Sequence, residues 1–323
     1  MMLKKFFLLL LILVLSFSTT SWVYANNFPV RPIEIVIPFG EGGASDIFAR
    51  KFAEIMNKDM PVPFQPVNKP GGGGLVGMVY AYSQKNDGYT VLEITPSHVI
   101  ADVMERSEVK LLQHFEPICR IQSDIYVISV NKNSDFETFE ELVKYGQEKE
   151  VTFAGISPGG IDDFTLRALA KATGIKLKFV PYKSGSEVKA AVLGGEVDIY
   201  LDKIISAIGY IEDGSVRPLV ILNDKRIEKL TVFKNVPTTV ELGYEVTMGS
   251  WRGFVVKKGT PEHAKTFLAE KMKKAYDSKE YQKFADDNLV NIRPGYLDSE
   301  DFEKFLHEQY NFLNEIALET GLK

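Results

Sequence analysis

The chain has 323 residues, of which 45% are hydrophobic and 25% charged, and its formal net charge is −5 at pH 7. These fractions are typical of a globular protein and exclude a disordered, collagen-like or coiled-coil chain. A single cysteine, Cys119, excludes a disulfide scaffold and a cysteine-based zinc site. The negative charge argues against nucleic acid as a partner. The length suits two domains of roughly 100–200 residues each.

The first 25 residues have the pattern of a secretory signal peptide. Two lysines precede an apolar run from Phe6 to Phe17, and the small residue Ala25 ends the segment, with Val23 two positions before it. The apolar run is shorter than the roughly 20 residues that span a bilayer, which favours a cleaved signal over an anchor helix. We therefore expect cleavage after Ala25 and export. No cysteine lies near this point, so we expect no lipid anchor.

Strand and helix patterns alternate through most of the remaining chain. Apolar runs at 33–38, 90–95 and 125–130 are typical of buried strands, and amphipathic segments such as 45–57 and 162–173 are typical of helices. This rhythm predicts a parallel-type α/β sheet. The rhythm restarts in the middle of the chain, which predicts two similar α/β lobes, although no residue-level repeat is visible.

The C-terminal part of the chain has helical patterns. Thr260 is the predicted N-cap of a helix that begins at Pro261, and Ser299 is the predicted cap of a last helix. The last helix carries an apolar stripe that we interpret as core packing. The stripe consists of Phe302, Phe305, Leu306, Tyr310, Leu313 and Ile316.

Two glycine-rich loops, 39–46 and 155–162, have the same form, because each follows a predicted strand and opens a predicted helix. Glycines let a ligand approach the backbone closely. The free N–H groups and the positive dipole end of a helix start attract a carboxylate or a phosphate. Two such ends that face each other suit an anion with a carboxylate at each end. A pair of tight strand–helix turns without a ligand is the alternative.

A hydrolase interpretation of the second loop is weaker. Gly155-Ile156-Ser157-Pro158-Gly159 matches the G-x-S-x-G pattern of esterases. However, the residue after the nucleophile must donate its backbone N–H to the oxyanion, and Pro158 has none. The candidate bases downstream are only His263 and His307, both in polar segments.

Dinucleotide and metal interpretations are also weak. Gly72-x-Gly74-x-x-Gly77 fits the G-x-G-x-x-G pattern, with Glu93 near the expected acidic position, but a glycine run separates strand from helix where that fingerprint needs a tight turn. The four histidines are isolated and lack metal-binding spacings, so we expect no metal site. His98, just past a predicted strand end, is either a polar ligand contact or an exposed loop residue.

A series of short motifs runs in order from about residue 31 to residue 262. They are Pro32-Ile33-x-Ile35-Val36-x-Pro38-Phe39-x-x-Gly42-Gly43-x-x-Asp46, Asn68-x-Pro70-Gly71-x-Gly73-Gly74-x-x-Gly77, Asp87-Gly88-Tyr89-Thr90, Val180-Pro181-Tyr182-Lys183, Leu193-Gly194-Gly195-x-Val197-Asp198, Val236-Pro237-Thr238 with Glu241-Leu242-Gly243-Tyr244, and Trp251-Arg252-Gly253 with Gly259-Thr260-Pro261. Together they resemble the receptors of the tripartite tricarboxylate transporters, also called the Bug family. The Trp-Arg-Gly element is most similar to the tricarboxylate-binding branch.

The resemblance implies a type II periplasmic binding protein, with two α/β lobes joined by crossing strands and a ligand cleft between them. We expect residues 26–126 and 224–323 to form lobe 1 and residues 127–223 to form lobe 2. Such a receptor captures a small carboxylate in the periplasm, a di- or tricarboxylate or an acidic amino acid, and delivers it to a membrane permease of one large and one small subunit. It implies a monomer that is not an enzyme and needs no cofactor. A binding protein that feeds a signalling partner is the alternative.

The resemblance also implies a set of ligand contacts, since in this family backbone and hydroxyl groups of the two lobe loops hold the carboxylate, with bridging waters. The implied first-lobe contacts are Phe39, Gly42, Gly43, Ala44, Ser45 and Asp46, with Gly73, Thr95 and Ser97 nearby. The implied second-lobe contacts are Ser157, Gly159, Gly160 and Ile161, then Tyr182, Ser184 and Asp202. Asp46 and Asp202 are expected to orient waters or to accept protons from the ligand.

The second helix start departs from the family pattern. Where Gly-Ser-x-His is usual, the sequence has Gly160-Ile161-Asp162-Asp163, and Glu41 stands where small residues or proline are usual. If the five carboxylates of this region all face the cleft, a bare tricarboxylate meets like charge, which favours a ligand with an amino group or a metal–carboxylate complex. The five are Glu41, Asp46, Asp162, Asp163 and Asp202. The alternative is that Asp162 and Asp163 cap the helix dipole and point to solvent.

Overall fold

The computed structural model describes residues 28–155, 158–182 and 185–323. The predicted signal peptide and two of the predicted contacts, Ser157 and Ser184, lie outside the described residues. The strands are β1 (Ile33–Ile37), β2 (Phe64–Asn68), β3 (Thr90–Ile94), β4 (Phe115–Ser123), β5 (Tyr126–Asn131), β6 (Glu150–Gly155), β7 (Lys176–Pro181), β8 (Tyr200–Lys203), β9 (Val216–Ile221) and β10 (Trp251–Lys257). The helices are α1 (Ala44–Asn57), α2 (Leu75–Ser83), α3 (Pro96–Val103), α4 (Leu111–His114), α5 (Phe139–Glu148), α6 (Ile161–Thr173), α7 (Gly185–Leu193), α8 (Ile204–Glu212), α9 (Glu262–Tyr276), α10 (Lys279–Asp287) and α11 (Ser299–Glu319).

The first sheet has the strand order β2-β1-β3-β10-β4. β1 pairs in parallel with β2 and β3, whereas β10 runs antiparallel to both β3 and β4. The amphipathic face of α1 covers this sheet, and Phe48 and Phe52 of α1 stack on Phe254 of β10 with ring centroids 5.8 and 5.7 Å apart. Burial of these rings fixes how α1 sits on the sheet, and therefore where its first turn lies.

The middle of the chain repeats the same topology. β6 pairs in parallel with β7, β5 pairs antiparallel with β8 and β9, and a bridge between Phe153 and Ile199 connects β6 to the segment before β8. The resulting order, β7-β6-β8-β5-β9, corresponds strand for strand to the first sheet. The prediction of two similar α/β lobes is confirmed. The prediction of a parallel-type sheet is wrong for one strand in each lobe. β10 in the first sheet and β5 in the second run antiparallel to both of their neighbours.

The chain crosses between the two sheets twice. The first crossing is Asp124 and Ile125, between β4 and β5, and the second is the long segment between β9 and β10. The two crossings lie side by side. The backbone N–H of Asp124 in the first crossing donates to the carbonyl of Ser250, at the end of the second, at 2.7 Å. This pair of adjacent segments is the connection between the lobes.

The C-terminal helix α11 packs against α3 of the first lobe and α6 of the second. Its apolar stripe lies in the core, with Phe302, Leu306, Leu313 and Ile316 buried, so the interpretation as core packing is confirmed. The predicted caps are wrong by one residue each. Asp298, not Ser299, caps α11 and accepts from the N–H of Asp301 at 3.0 Å, and the N-cap of α9 is Pro261, not Thr260. Among the described residues, the helices are too short or too polar to span a bilayer.

Candidate ligand-binding cleft

The starts of α1 and α6 share a residue-level repeat that the sequence analysis missed. Gly42-Gly43-x-x-Asp46-x-x-x-Arg50 in the first lobe corresponds to Gly159-Gly160-x-x-Asp163-x-x-x-Arg167 in the second. In each copy, the aspartate accepts a hydrogen bond from the N–H of the first glycine, at 3.0 Å in the first lobe and 2.8 Å in the second. In each copy, its other oxygen accepts from the arginine Nε, at 2.8 Å.

This repeat shapes a turn that leaves a helix start open. The first glycine has a positive φ in both copies, +73° at Gly42 and +67° at Gly159, which glycine adopts without strain. The second glycine, Gly43 or Gly160, is the N-cap residue, and neither helix has a side-chain cap. The first N–H groups of α1 and α6 are therefore available to an anion, which the helix dipole also attracts.

The aspartates of the repeat have a structural role. Burial raises the pKa of Asp46, but hydrogen bonds from Arg50, Gly42 and Asn68 outweigh it and hold that pKa below its ordinary value. Asp163 is buried in the same arrangement, so the suggestion that it points to solvent is wrong. Both carboxylates are paired with an arginine one helical turn later. They add little to the like-charge repulsion considered from the sequence.

The remaining first-lobe contacts lie around the start of α1. Gly42, Gly43 and Ala44 are exposed, Ser45 is buried, and Phe39 is half-buried. The carbonyl of Phe39 accepts from Asn68 Nδ2 at 3.0 Å, and the same amide donates to Asp46 at 2.8 Å. Asn68, at the end of β2, therefore fixes both ends of the first loop.

A second group of predicted first-lobe contacts surrounds His98. Thr95 is the buried N-cap of α3, Ser97 is half-buried in its first turn, and Gly73 is exposed in the glycine run. His98 itself is buried, so the alternative of an exposed loop residue is wrong. Its Nδ1 accepts from the Thr95 N–H at 3.1 Å, and burial lowers its pKa to about 4, so the imidazole is neutral. Its ring lies against Phe39, with centroids 6.3 Å apart.

Some of the predicted second-lobe contacts already form hydrogen bonds with other residues of the chain. Gly159 is buried, while Gly160 and Ile161 are half-buried at the start of α6. The hydroxyl of Tyr182 donates to Glu196 at 3.1 Å. The carboxylate of Asp202 accepts from the Tyr200 hydroxyl at 2.5 Å and from the N–H of Lys203 at 2.7 Å.

Four charged side chains, three of them buried and Lys203 half-buried, connect the two lobes near the start of α1. Arg252 Nε donates to Ser45 Oγ at 3.3 Å, and lies 3.5 Å from Glu93 Oε1. Arg252 Nη1 lies 3.2 Å from Asp124 Oδ2, and Lys203 Nζ lies 3.9 Å from the same oxygen. We call Glu93, Asp124, Lys203 and Arg252 the cleft floor. The sequence analysis noted Arg252 only as part of a motif, and considered Glu93 only as the acidic residue of a dinucleotide pattern.

Glu93 contributes little negative charge to the cleft floor at neutral pH. Glu93 is fully buried, and neither of its carboxylate oxygens forms a hydrogen bond of normal geometry with the described residues. Burial raises the pKa of Glu93 to about 8, although Arg252 and Ser45 oppose this shift. Glu93 is therefore mostly protonated at pH 7. Asp124 then faces the two cations Arg252 and Lys203.

Asp162 lies on the second-lobe side of the floor. It is half-buried and accepts from the Tyr126 hydroxyl at 2.9 Å, so it does not simply point to solvent. Burial raises its pKa, and Asp202 adds to this shift while Lys203 opposes it. The chain of contacts runs from Ser45 at the start of α1 through Arg252 and Asp124 to Lys203, and the charge of Lys203 acts on Asp162 in the first turn of α6.

The fold and the two open helix starts define a two-lobed binding protein of the periplasmic type. Residues 48–322 match the profile of the tripartite tricarboxylate transporter family receptors, and the chain belongs to that family. A UPF0065 protein in the gbd 5' region of Cupriavidus necator is 29% identical over 300 residues, covering 92% of this chain and 90% of the relative. The expected family and fold are confirmed.

Two solved structures show the same fold. A TctC solute binding protein from Polaromonas aligns with a TM-score of 0.80 at 24% identity, over 91% of this chain and 100% of that one. MatC from Rhodopseudomonas palustris, solved with bound malate, aligns with a TM-score of 0.71 at 22% identity, over 90% of this chain and 99% of that one.

Proposed function

We propose that this protein is an extracytoplasmic receptor that captures a small di- or tricarboxylate between its lobes and delivers it to a tripartite tricarboxylate-type permease of one large and one small subunit. In this proposal it is a monomer without catalytic activity, exported after cleavage behind Ala25. The lobe limits stay as proposed, residues 26–126 with 224–323 and residues 127–223.

The observation that carries the proposal is the repeat at the starts of α1 and α6. Each copy leaves a helix start without a side-chain cap, and each keeps its own aspartate neutralised by an arginine. The cleft floor between them adds the cations Arg252 and Lys203. An anion with two carboxylates matches this arrangement, and malate, the ligand in the MatC structure, is of this kind.

In the proposed complex, the N–H groups that follow Gly43 and Gly160 each bind one carboxylate, and the hydroxyl of Ser45 supports the first. Asp46 shapes its loop and does not touch the ligand. The other predicted contacts retain their proposed roles, namely Phe39, Gly73, Thr95, Ser97, Ser157, Tyr182, Ser184 and Asp202. Lobe closure follows from contacts that the ligand makes with both lobes at once.

Titration calorimetry with malate, citrate and aspartate tests the binding step. We expect saturable binding of malate or citrate, and at least a tenfold loss of affinity in Gly43→Val. A Cβ at Gly43 would already lie 3.3 Å from the carbonyl oxygen of Gly40, so a branched side chain at this position crowds the turn that precedes α1. Gly209→Ala is the matched control, since a Cβ there meets open space.

Three results would oppose the proposal. Equal affinity in Gly43→Val and the control would remove the helix start from the site. Binding of aspartate without malate or citrate would favour the amino-group ligand considered from the sequence. Uptake that persists without the permease, together with ligand-dependent activation of a sensor kinase, would favour the signalling alternative.

A further inference from the structure

Glu93 belongs to the cleft floor, but the proposed function gives it no role. It is the fourth residue of β3, and its side chain is fully buried. Neither of its carboxylate oxygens forms a hydrogen bond of normal geometry with the described residues. A buried carboxylate without hydrogen bonds is costly to ionise, so the surroundings of Glu93 favour its protonated form.

Arg252 offsets this cost only in part, because its charge already has a partner. Its Nη1 lies 3.2 Å from Asp124 Oδ2, which Lys203 Nζ approaches at 3.9 Å, and Asp124 Oδ1 accepts from Gln122 Nε2 at 2.8 Å. Glu93 Oε1 lies 3.5 Å from Arg252 Nε, which is longer than a normal hydrogen bond. An ionised Glu93 is therefore a second carboxylate beside one guanidinium.

Ser45 meets Glu93 at the same atom of this guanidinium. Arg252 Nε donates its single N–H to Ser45 Oγ at 3.3 Å, so Ser45 Oγ and Glu93 Oε1 both lie within 3.5 Å of one nitrogen. Because Ser45 Oγ accepts from the arginine, the hydroxyl hydrogen is left to donate elsewhere. Ser45 is the second residue of α1, at the helix start to which we assign the first carboxylate of the ligand.

The Ser45 hydroxyl thus has one hydrogen and two competing acceptors, Glu93 and the ligand. Hydrogen bonds to an ionised acceptor are shorter and stronger than those to a neutral one. An ionised Glu93 therefore competes with the ligand carboxylate for this hydrogen, whereas a protonated Glu93 competes poorly.

We propose that Glu93 is a positioning residue of the cleft, which acts through Ser45. In its protonated form it leaves the Ser45 hydroxyl to the ligand carboxylate, and in its ionised form it withdraws that donor. The inference rests on the proposed function and adds that carboxylate binding is coupled to proton uptake. The proton comes from the solvent and forms an O–H bond on Glu93, since a ligand that prefers the protonated form also raises its population.

The groups around Glu93 set the pH range in which this coupling is measurable. Burial raises the pKa of Glu93 to about 8, Arg252 and Ser45 oppose the shift, and Asp46 adds to it. Burial raises the pKa of Asp46, but its hydrogen bonds outweigh this and hold it below the ordinary value, so Asp46 stays ionised above pH 7. Burial also raises the pKa of Asp162, so a variant of Glu93 is needed to assign the proton.

Titration calorimetry in buffers of different ionisation enthalpy counts the protons taken up on binding. The probe is malate, or citrate if malate does not bind, and the carboxyl groups of both are ionised above pH 7.5. For an about tenfold preference for protonated Glu93, we expect uptake of about half a proton at pH 8.5 and an about fourfold fall in affinity from pH 7.5 to pH 9. Binding without proton uptake would overturn this inference alone. Absence of binding by both probes would overturn the proposed function and this inference with it.

Two variants and a control assign the proton. Glu93→Gln keeps the size of the side chain but cannot ionise, so the uptake at pH 8.5 and the fall in affinity should both disappear. Ser45→Ala removes the shared hydroxyl and should reduce the uptake at least twofold. Glu54→Gln removes an equal charge at an exposed position of α1 and should keep the wild-type uptake. Wild-type uptake in Glu93→Gln or in Ser45→Ala would overturn the proposal.

Discussion

Replacing Asp163 by asparagine removes the charge at the centre of the second repeat while keeping the size of the side chain. The Asp163 carboxylate is 1% exposed and accepts at 2.8 Å both from the Gly159 N–H and from Arg167 Nε. An asparagine can accept from one of these donors, but its NH₂ group then faces the other. A hydrogen bond to a charged group is worth about 1.5–3 kcal/mol, so we expect a loss of about 2–3 kcal/mol in the free energy of unfolding.

The matched change in the first lobe, Asp46→Asn, should lower the free energy of unfolding by a smaller amount. Arg50 is 47% exposed, against 30% for Arg167, so water already screens its ion pair more strongly. We expect a loss of about 1–2 kcal/mol there. Urea unfolding followed by far-UV circular dichroism measures both values, and the exposed Asp135→Asn serves as the control, with a change within about 0.5 kcal/mol. A smaller loss for Asp163→Asn than for Asp46→Asn would refute this assignment of the repeat.

Three further predictions concern the cleft floor and His98. The pKa of Glu93 is raised to about 8 from its ordinary 4.5, so its protonation stabilises the fold below pH 4.5 and this stabilisation is lost as the pH rises through 8. Glu93→Gln should flatten the decline of unfolding free energy in this window, and an unaltered slope would exclude Glu93 as the titrating group. Arg252→Gln should weaken malate binding at least tenfold in calorimetry, whereas the exposed Lys258→Gln should not; equal effects would leave no special role for the floor. The His98 imidazole, with a pKa of about 4, should show constant NMR shifts between pH 5.5 and 8, and titration near pH 6.5 would contradict its burial.

Much of the fold follows from local signals in the sequence. The apolar runs at β1, β3 and β5 and the amphipathic segments at α1 and α6 have periods that are independent of the rest of the chain, and the structure has these elements within a residue or two of the predicted limits. Strands β4 and β10 were not predicted. β10 lies between β3 and β4, which are distant from it in sequence, and β4 is the edge strand whose only partner among the described strands of the sheet is β10. The antiparallel direction of β10 depends on the crossing and not on any local pattern.

The candidate site likewise has one part that can be predicted from local sequence and one part that cannot. The repeat at the two helix starts is local, since its aspartate and arginine are one helical turn apart, and an alignment of the two halves would have revealed it. The cleft floor is not local. Glu93, Asp124 and Arg252 come from different strands and crossings, and only the topology brings them together.

The position of β10 has a consequence for the order in which the protein folds. β10 lies between β3 and β4, yet it is made from residues 251–257, long after its neighbours. While the chain is synthesised, the first sheet therefore has two strands with unsatisfied edges, whereas the second already has β5 when its own strands emerge. The lobe that begins first is completed last, and a polypeptide that stops before residue 251 can finish only one of the two.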